Sequence, residues 1–322
     1  MNTNLPFVSI VVASFNREHI IQETIEALLN QSYPSDFFEV IIVDNNSQDR
    51  SVQIIKESFV DYIKSSKLKL LSLDVNSGSA GTYNKALSVI DDRWSYMLKM
   101  DEDLVLDKEC LSRLVEMAQK KPKAMMVGGK VYFYKDRNIF HAVGSFLRPY
   151  FAIARGIGVN QIDEGQFDNE EKFDGLNGCM ILCSKELYNQ VGWFDEDYFL
   201  YYDDHDLMYK SLKKGYQHWY CPAAIGYHDT STSTNIKYSN AQWLYYSSRG
   251  SWMFFYKNFN FLSINGFIYL ASNSFKVIVG LFLIFIKSPK NKILNNLRVF
   301  TFGNIHGLFK THKRYYDIER WK

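Results

Sequence analysis

VSIVVASFNREHIIQETIEALLNQSYPSDFFEVIIVDNNS, residues 8–47, reads as strand, helix, strand. Val8–Ser14 is a short apolar run rich in β-branched residues, the pattern of a strand buried on both faces. His19–Asn30 sets Ile20, Ile21, Ile25, Leu28 and Leu29 on one helical stripe, and Val40–Asp44 is a second buried strand. The alternation continues with a helix over Asp49–Phe59, a strand over Leu68–Asp74 and a helix over Gly81–Ile90 after a glycine-rich turn. A strand over Ser95–Met100 and a helix over Lys108–Lys120 follow, and Lys185–Val191 and His205–Lys214 read as short helices. Repeated βα units of this size predict an α/β fold, a mostly parallel sheet with helices on both faces.

Ligands of such sheets bind outside the carboxyl ends of the strands. Four consecutive strands end there in polar clusters: Ser14, Asn16 and Arg17; Asp44, Asn45 and Asn46; Asn76, Ser77 and Gly78; Asp101, Glu102 and Asp103. Chance would scatter such clusters over both rims.

The composition agrees with a folded chain. Of 322 residues, 47% are hydrophobic and 22% charged, which excludes disorder, collagen and coiled coil as readings of the whole. Aromatic residues reach 16%, enough to fill a core and leave rings for a binding surface. The four cysteines, at 110, 179, 183 and 221, lack C-x-x-C spacing and read as buried reduced thiols. The N-terminus has no basic region and no cleavage site, so no signal peptide is expected and the reducing cytoplasm is the expected compartment.

Charge is unevenly distributed. Residues 1–229 hold 24 Lys and Arg against 33 Asp and Glu, whereas residues 230–322 hold 13 against 2. A basic, aromatic-rich tail on an acidic body predicts an anionic surface as partner. Within the tail, Val277–Ile286 is ten apolar residues between Lys276 and Lys287. Ten residues fall short of the roughly 20 that span a bilayer, so an amphipathic anchor lying in the membrane plane is expected. A buried helix packed on the body is the alternative. The tail is too apolar for a nucleic-acid arm, and no nucleic-acid partner is expected.

Several constellations carry chemistry. Asp101-Glu-Asp103 closes a core strand, and three adjacent acids suit a divalent cation with oxygen ligands shared with phosphate. The plain alternative is a solvated acidic turn with Asp107 capping the next helix. In Trp193–Leu207, acids at 203, 204 and 206 follow Tyr201 and Tyr202 and open a helix. A carboxylate there suits a general base for an alcohol, while Asp203 equally reads as an N-cap. His228 becomes a metal ligand only if it converges on Asp101 and Asp103. Asn76–Gly81 is a glycine-rich turn into a helix, able to cradle a phosphate, although it is neither a dinucleotide fingerprint nor a P-loop. A nucleotide-diphosphate site, an acidic metal triplet and a separate base together make a device that transfers a glycosyl group from a nucleotide-sugar.

The motifs occur in a telling order: Val11-Val-Ala-Ser-Phe-Asn-Arg17, Ile41-Ile-Val-Asp-Asn-Asn-Ser47, Asn76-Ser-Gly-Ser-Ala-Gly81, Lys99-Met-Asp-Glu-Asp103 and Phe199-Leu-Tyr-Tyr-Asp-Asp-His-Asp-Leu207. Tyr227-His228 and Tyr246-Ser-Ser-Arg249 follow. In that order the set resembles the GT-A-fold family 2 glycosyltransferases, most closely the branch that uses dTDP-rhamnose or UDP-galactofuranose. Three positions depart from that branch. Ser79 and Thr82 stand where it prefers glycine, and Gly250 stands where asparagine follows the arginine.

The resemblance implies an inverting transfer from a UDP- or dTDP-linked sugar to a glycan or lipid-linked glycan. Ser14, Asn16, Arg17, Asp44, Asn76, Gly78 and Asp101 would hold the donor, with Asp44 on the base. Asp101, Asp103 and His228 would bind Mn²⁺ or Mg²⁺. Asp204 aligns with the base carboxylate, and Asn177, Gly178, Tyr202 and Asp203 lie on the acceptor side. The implied organisation is a catalytic domain over 1–235, its nucleotide half about 1–105 and its acceptor half about 106–235, then a basic helical region over 236–322. That region would sit peripherally on the inner face of the cell membrane, through Lys276, Lys287, Lys290, Lys292, Arg298, Lys310, Lys313 and Arg314 and aromatics such as Trp243, Trp252 and Phe267, and its aromatic excess allows an oligomer. Rival readings are a nucleotidyltransferase, which lacks its glycine-rich basic loop here, and a non-catalytic carbohydrate- or membrane-binding subunit, against which the intact acids argue.

Overall fold

The computed structural model describes residues 5–121, 123–148, 153–229 and 240–309. The 235/236 boundary and Lys310, Lys313 and Arg314 lie outside them. Contacts divide the chain into two compact units. The first is Met1–Phe146, Arg155–Phe194 and Leu207–Thr230; the second is Leu147–Ala154, Asp195–Asp206 and Ser231–Lys322.

The first half of unit one runs β1 (Phe7–Ser14), α1 (Ile21–Leu29), β2 (Phe38–Asp44), α2 (Ser51–Ser58), α3 (Val60–Lys64), β3 (Leu68–Ser72), α4 (Gly78–Ala86) and β4 (Trp94–Asp101). Then come β5 (Leu104–Leu106), α5 (Cys110–Lys120), β6 (Ala124–Phe133), β7 (Phe140–Ala142), β8 (Gly144–Arg148), β9 (Ile153–Ile157), β10 (Glu171–Lys172), β11 (Met180–Ser184), α6 (Lys185–Val191), α7 (Asp203–Lys213) and β12 (Gln217–His228), of which β8, β9 and α7 have residues assigned to both units. The main sheet has the order β10-β12-β6-β11-β4-β1-β2-β3. Pairing is parallel across β3, β2, β1 and β4, as the βα repeats require. Beyond β4 the sheet is mixed: β11 runs antiparallel to β4 and β6, while β6 and β12 are parallel. The central strands are buried on both faces, which is why they read as unbroken apolar runs. Val8, Ile10 and Val12 share one core with Ile21, Ile25 and Leu28 of α1 and Leu111 and Leu114 of α5. All four cysteines are buried and unbridged.

Two helices begin earlier than their patterns indicate. In α4, Asn76 Oδ1 accepts from Gly78 N at 2.9 Å, and the Thr82 hydroxyl donates to Gly78 O at 2.5 Å, so the glycine-rich turn is itself the first helical turn. Gly78 stands at φ +76°, where a side chain is strained. Asp203 is the first residue of α7, not its N-cap, and Asp203, Asp204 and Asp206 place negative charge at the positive end of that helix.

The second unit contains α8 (Ala241–Asn258), α9 (Ile264–Lys287) and α10 (Ile293–Leu308). α8 and α10 approach closely because α10 presents glycines. A Cβ on Gly303 would stand 2.2 Å from Ser248 Oγ, and one on Gly307 2.8 Å from Arg249 O. The ten-residue apolar run belongs to a longer helix, which corrects the length argument made from it. α9 has 24 residues, and it is long and apolar enough, by length and composition only, to cross a membrane. It is not a buried helix. Gly266, Tyr269, Asn273 and Ile284 face inward, while Ile264, Phe267, Phe275, Ile278, Phe282 and Phe285 are exposed along its whole length.

Candidate functional site

The polar ends of β1, β2 and β3 lock together. Asn16, at φ 55°, donates its backbone N–H to Ser47 Oγ at 2.9 Å and accepts from Gln48 N at 2.8 Å. Asn45 joins the second cluster to the third: its amide donates to Asn76 Oδ1 at 2.9 Å, and its oxygen accepts from Ser77 N at 2.7 Å. Asp44 is buried; Oδ2 accepts from Ser47 N at 3.1 Å, and Oδ1 has no hydrogen-bond partner among the described residues. The buried Ser14 hydroxyl is likewise without one. A buried carboxylate oxygen that can accept from a nucleobase N–H, and a buried hydroxyl that can donate or accept, thus stand at these strand ends.

At the end of β4 the acidic triplet meets β12. His228 Nε2 lies 2.8 Å from Asp103 Oδ1. The ligand atoms of Asp101, Asp103 and His228 all fall within 4.8 Å of one another. Asp103 is 4% exposed, so the solvated-turn reading does not hold. Asp107 instead organises the turn into α5, accepting from Glu109 N at 3.0 Å. Arg17 supplies local positive charge, with Nε 3.1 Å from Glu102 Oε1 and 3.5 Å from Asp103 Oδ2. Burial raises the Glu102 carboxyl to about 8 despite Arg17, with Asp103 and Asp101 adding to the rise. Burial also opposes ionisation of Asp103, but His228 and Arg17 outweigh it and hold that carboxyl below its ordinary value. Burial lowers the His228 imidazole, and the facing Asp103 more than reverses this. Two carboxylates and an imidazole, with His228 Nε2 turned to Asp103, fit Mn²⁺ or Mg²⁺ as a donor set.

Lys99, two residues before Asp101 on β4, stands in a quoted motif without an assigned role, and the structure puts it at the centre of this region. Its buried ammonium donates to Gly178 O, lies 3.5 Å from Asp101 Oδ1 and sits 4.8 Å from the Tyr83 ring centroid. Tyr83 of α4 donates to Met100 O at 2.9 Å. Thus the glycine-rich helix, the acidic strand end and the Asn177-Gly178 loop meet at one buried cation. Asn177 Nδ2 contacts His141 Nδ1 at 3.1 Å, and Asn177 Oδ1 accepts from Cys179 N at 3.4 Å. The period-two alternation of β4, which puts Lys99 on the same face as Asp101, was the available signal.

Tyr202, Asp203 and Asp204 belong to the second unit. Phe199, Tyr201 and Tyr202 have φ of 65°, 62° and 69°, strained values for bulky side chains. The Phe199 ring stacks on Tyr246 at 5.0 Å. A Cβ on Gly250 would stand 2.8 Å from Tyr202 Cδ2, so glycine there makes room for that tyrosine. Asp204 Oδ1 accepts from His205 N at 2.8 Å and lies 3.1 Å from His205 Nδ1. Burial lowers the His205 imidazole, and Asp204, then Asp203, raise it above its ordinary value. His205 is the neighbour of Asp204 that sequence reasoning did not single out.

The family model described as glycosyl transferase family 2 matches residues 9–185. The poly-beta-1,6-N-acetyl-D-glucosamine synthase of Staphylococcus epidermidis is 25% identical over 190 residues, 59% of this chain and 42% of that protein. The beta-monoglucosyldiacylglycerol synthase of Trichormus variabilis is 32% identical over 187 residues, 55% of this chain and 39% of that protein. The chain therefore spans well under half the length of these two relatives. A mannosyltransferase of Pyrobaculum calidifontis, solved with GDP-Man and Mn²⁺, superposes with a TM-score of 0.59 at 16% identity, covering 96% of this chain and 88% of that one, which shows a GT-A-like fold.

Proposed function

This chain belongs to glycosyl transferase family 2, and from that premise we propose that it transfers a sugar with inversion from a UDP- or dTDP-linked donor to a hydroxyl of a glycan or lipid-linked glycan. The observation that carries the reading is the convergence of Asp101, Asp103 and His228 at the end of β4, where Tyr83 of α4 reaches the same strand.

In this mechanism Asp44 takes up the nucleobase with its unsatisfied Oδ1, and Ser14, Asn16, Arg17, Asn76 and Gly78 line the donor. Asp101, Asp103 and His228 would hold Mn²⁺ or Mg²⁺, which would supply positive charge against the departing diphosphate. Asp204 accepts the acceptor hydroxyl proton as the anomeric carbon is attacked, general-base help worth roughly 10²–10⁴-fold. Asn177, Gly178, Tyr202 and Asp203 orient the acceptor. Rhamnose or galactofuranose is the sugar that the sequence motifs favour.

The C-terminal region rests in the plane of an anionic cytoplasmic leaflet. The exposed apolar stripe of α9 supports this, as do Lys287, Lys290, Lys292 and Arg298 nearby in the chain, each worth about 1 kcal/mol near such a surface.

The test is a thermal-shift panel of UDP, dTDP, GDP and their sugars, each with and without Mn²⁺. Ligands selective for the folded state raise the Tm by mass action. A metal-dependent rise with dTDP-rhamnose or UDP-galactofuranose identifies the donor. A rise with UDP-N-acetylglucosamine or UDP-glucose instead replaces the sugar assignment. No rise with any nucleotide, in folded protein, overturns the enzymatic reading.

A further inference from the structure

His228 stands in two clusters. One is the acidic group described above; the other joins it to His141 of β7 and Cys179, just before β11, with ligand atoms again all within 4.8 Å of one another. The His141 and His228 rings meet edge to face with centroids 4.6 Å apart. Cys179 is 3% and His228 8% exposed, and His228 Nδ1 is a buried nitrogen with no hydrogen-bond partner among the described residues.

The two donor sets differ in softness. Two carboxylates suit hard cations, whereas a thiolate with two imidazoles suits zinc, cadmium or copper(I). Tetrahedral zinc, with ligand bonds of about 2.0–2.3 Å, needs ligand atoms about 3.5 Å apart, so side-chain rotations of about an ångström would close the group. Cys179 carries a thiol proton, and only the thiolate is a metal ligand. An ion must displace that proton to bind, which Mn²⁺ and Mg²⁺ do poorly and thiophilic ions do well.

We propose that His141, Cys179 and His228 form an inhibitory site for a thiophilic ion such as Zn²⁺, with water as the fourth ligand. On binding, the sulfur–hydrogen bond of Cys179 breaks, its proton leaves to solvent and its electron pair goes to the metal. Movement of the shared His228 ring toward Cys179 would withdraw its Nε2 from Asp103, so the soft ion and the hard cation would compete for one imidazole. This exclusion rests on the cation site proposed above; the soft site itself does not.

Cd²⁺ titrated into the full chain tests it, read by the ultraviolet thiolate-to-metal absorption band. One band saturating at one equivalent is expected. Cys179→Ser abolishes it and Cys183→Ser leaves it. His141→Gln, which keeps the thiol, weakens binding at least tenfold. Failure of the folded wild type to give the band, or persistence of the band in Cys179→Ser, overturns the site. Excess Mn²⁺ should shift the Cd²⁺ midpoint upward several-fold. A midpoint that does not move, with the band intact, overturns only the exclusion. Absence of any nucleotide-dependent Tm shift bears on the proposed function and leaves the Cd²⁺ result standing.

Discussion

Arg249 donates from Nη2 to the carbonyl oxygen of Asp197 at 2.8 Å, from within α8 to the segment that precedes α7. Its Nη1 reaches Tyr198 O at 3.3 Å, and the guanidinium is buried. Lys257 braces the same segment, 2.7 Å from both Asp195 Oδ2 and Asp197 Oδ2. This forked donor helps hold the strained turn at Phe199, Tyr201 and Tyr202.

Arg249→Leu should therefore take its charged donor from Asp197 O, at roughly 1–3 kcal/mol, while Tyr198 O keeps Leu200 N at 2.8 Å. The expected result is a lower urea midpoint and a lower kcat for transfer, with donor Kd unchanged by calorimetry. Arg249→Lys should not restore kcat, because one ammonium lacks the planar fork. A donor Kd that changes tenfold would place the arginine in donor binding instead.

Asp204→Asn removes the proposed base while keeping shape. Transfer should fall roughly 10²–10⁴-fold, while the nucleotide-dependent Tm shift stays as in wild type. Retention of near-normal turnover counts directly against the assignment.

His218 sets an acid limb of stability. It is 1% exposed, its Nδ1 lies 2.8 Å from Asp174 O, and burial lowers it to about 4. The folded state therefore prefers neutral imidazole, while the unfolded chain takes up a proton near 6.5. Its contribution is fully present above 6.5 and is lost as pH falls towards 4, up to about 3 kcal/mol in all. Denaturation at pH 7 and pH 5 should show this loss, and His218→Phe should flatten the slope between them. An unchanged slope in the variant would assign the limb to other groups.

On α9, the double substitution Ile278→Lys and Phe282→Lys touches only exposed positions. Stability should change by less than about 0.5 kcal/mol each, and flotation with vesicles containing anionic lipid should fall at least tenfold. Undiminished flotation would move the anchor off this face. This design is preferable to deleting the tail, because α10 packs on α8 through Gly303 and Gly307.

The parallel half of the sheet was legible because β1 and β2 are buried on both faces and spell this as apolar runs. The rim clusters were legible for the same reason: polarity begins where each run stops. The mixed half was harder. β6 contains Gly128 and Gly129, where a Cβ would meet Leu176 and Ala224, so its signal is close packing and not alternation. The convergence of His228 on Asp103 joins residues 125 positions apart, and spacing in a sequence carries no such distance. Lys99 was hidden by its own motif, since the acids beside it took the attention. The reach of α9 was misjudged because Ser272, Asn273 and Ser274 interrupt its hydropathy, although a helix tolerates them and Asn273 is buried.

The apolar stripe of α9 has a kinetic consequence. Over 24 residues it is about 36 Å long, and held flat on a leaflet it would confine the protein to lateral diffusion. Encounter with an acceptor in that leaflet then becomes a two-dimensional search, and the governing concentration is the acceptor's mole fraction among lipids. Diluting the membrane with inert lipid at constant bulk acceptor should slow transfer, while diluting the bulk at constant mole fraction should leave the rate per bound enzyme unchanged.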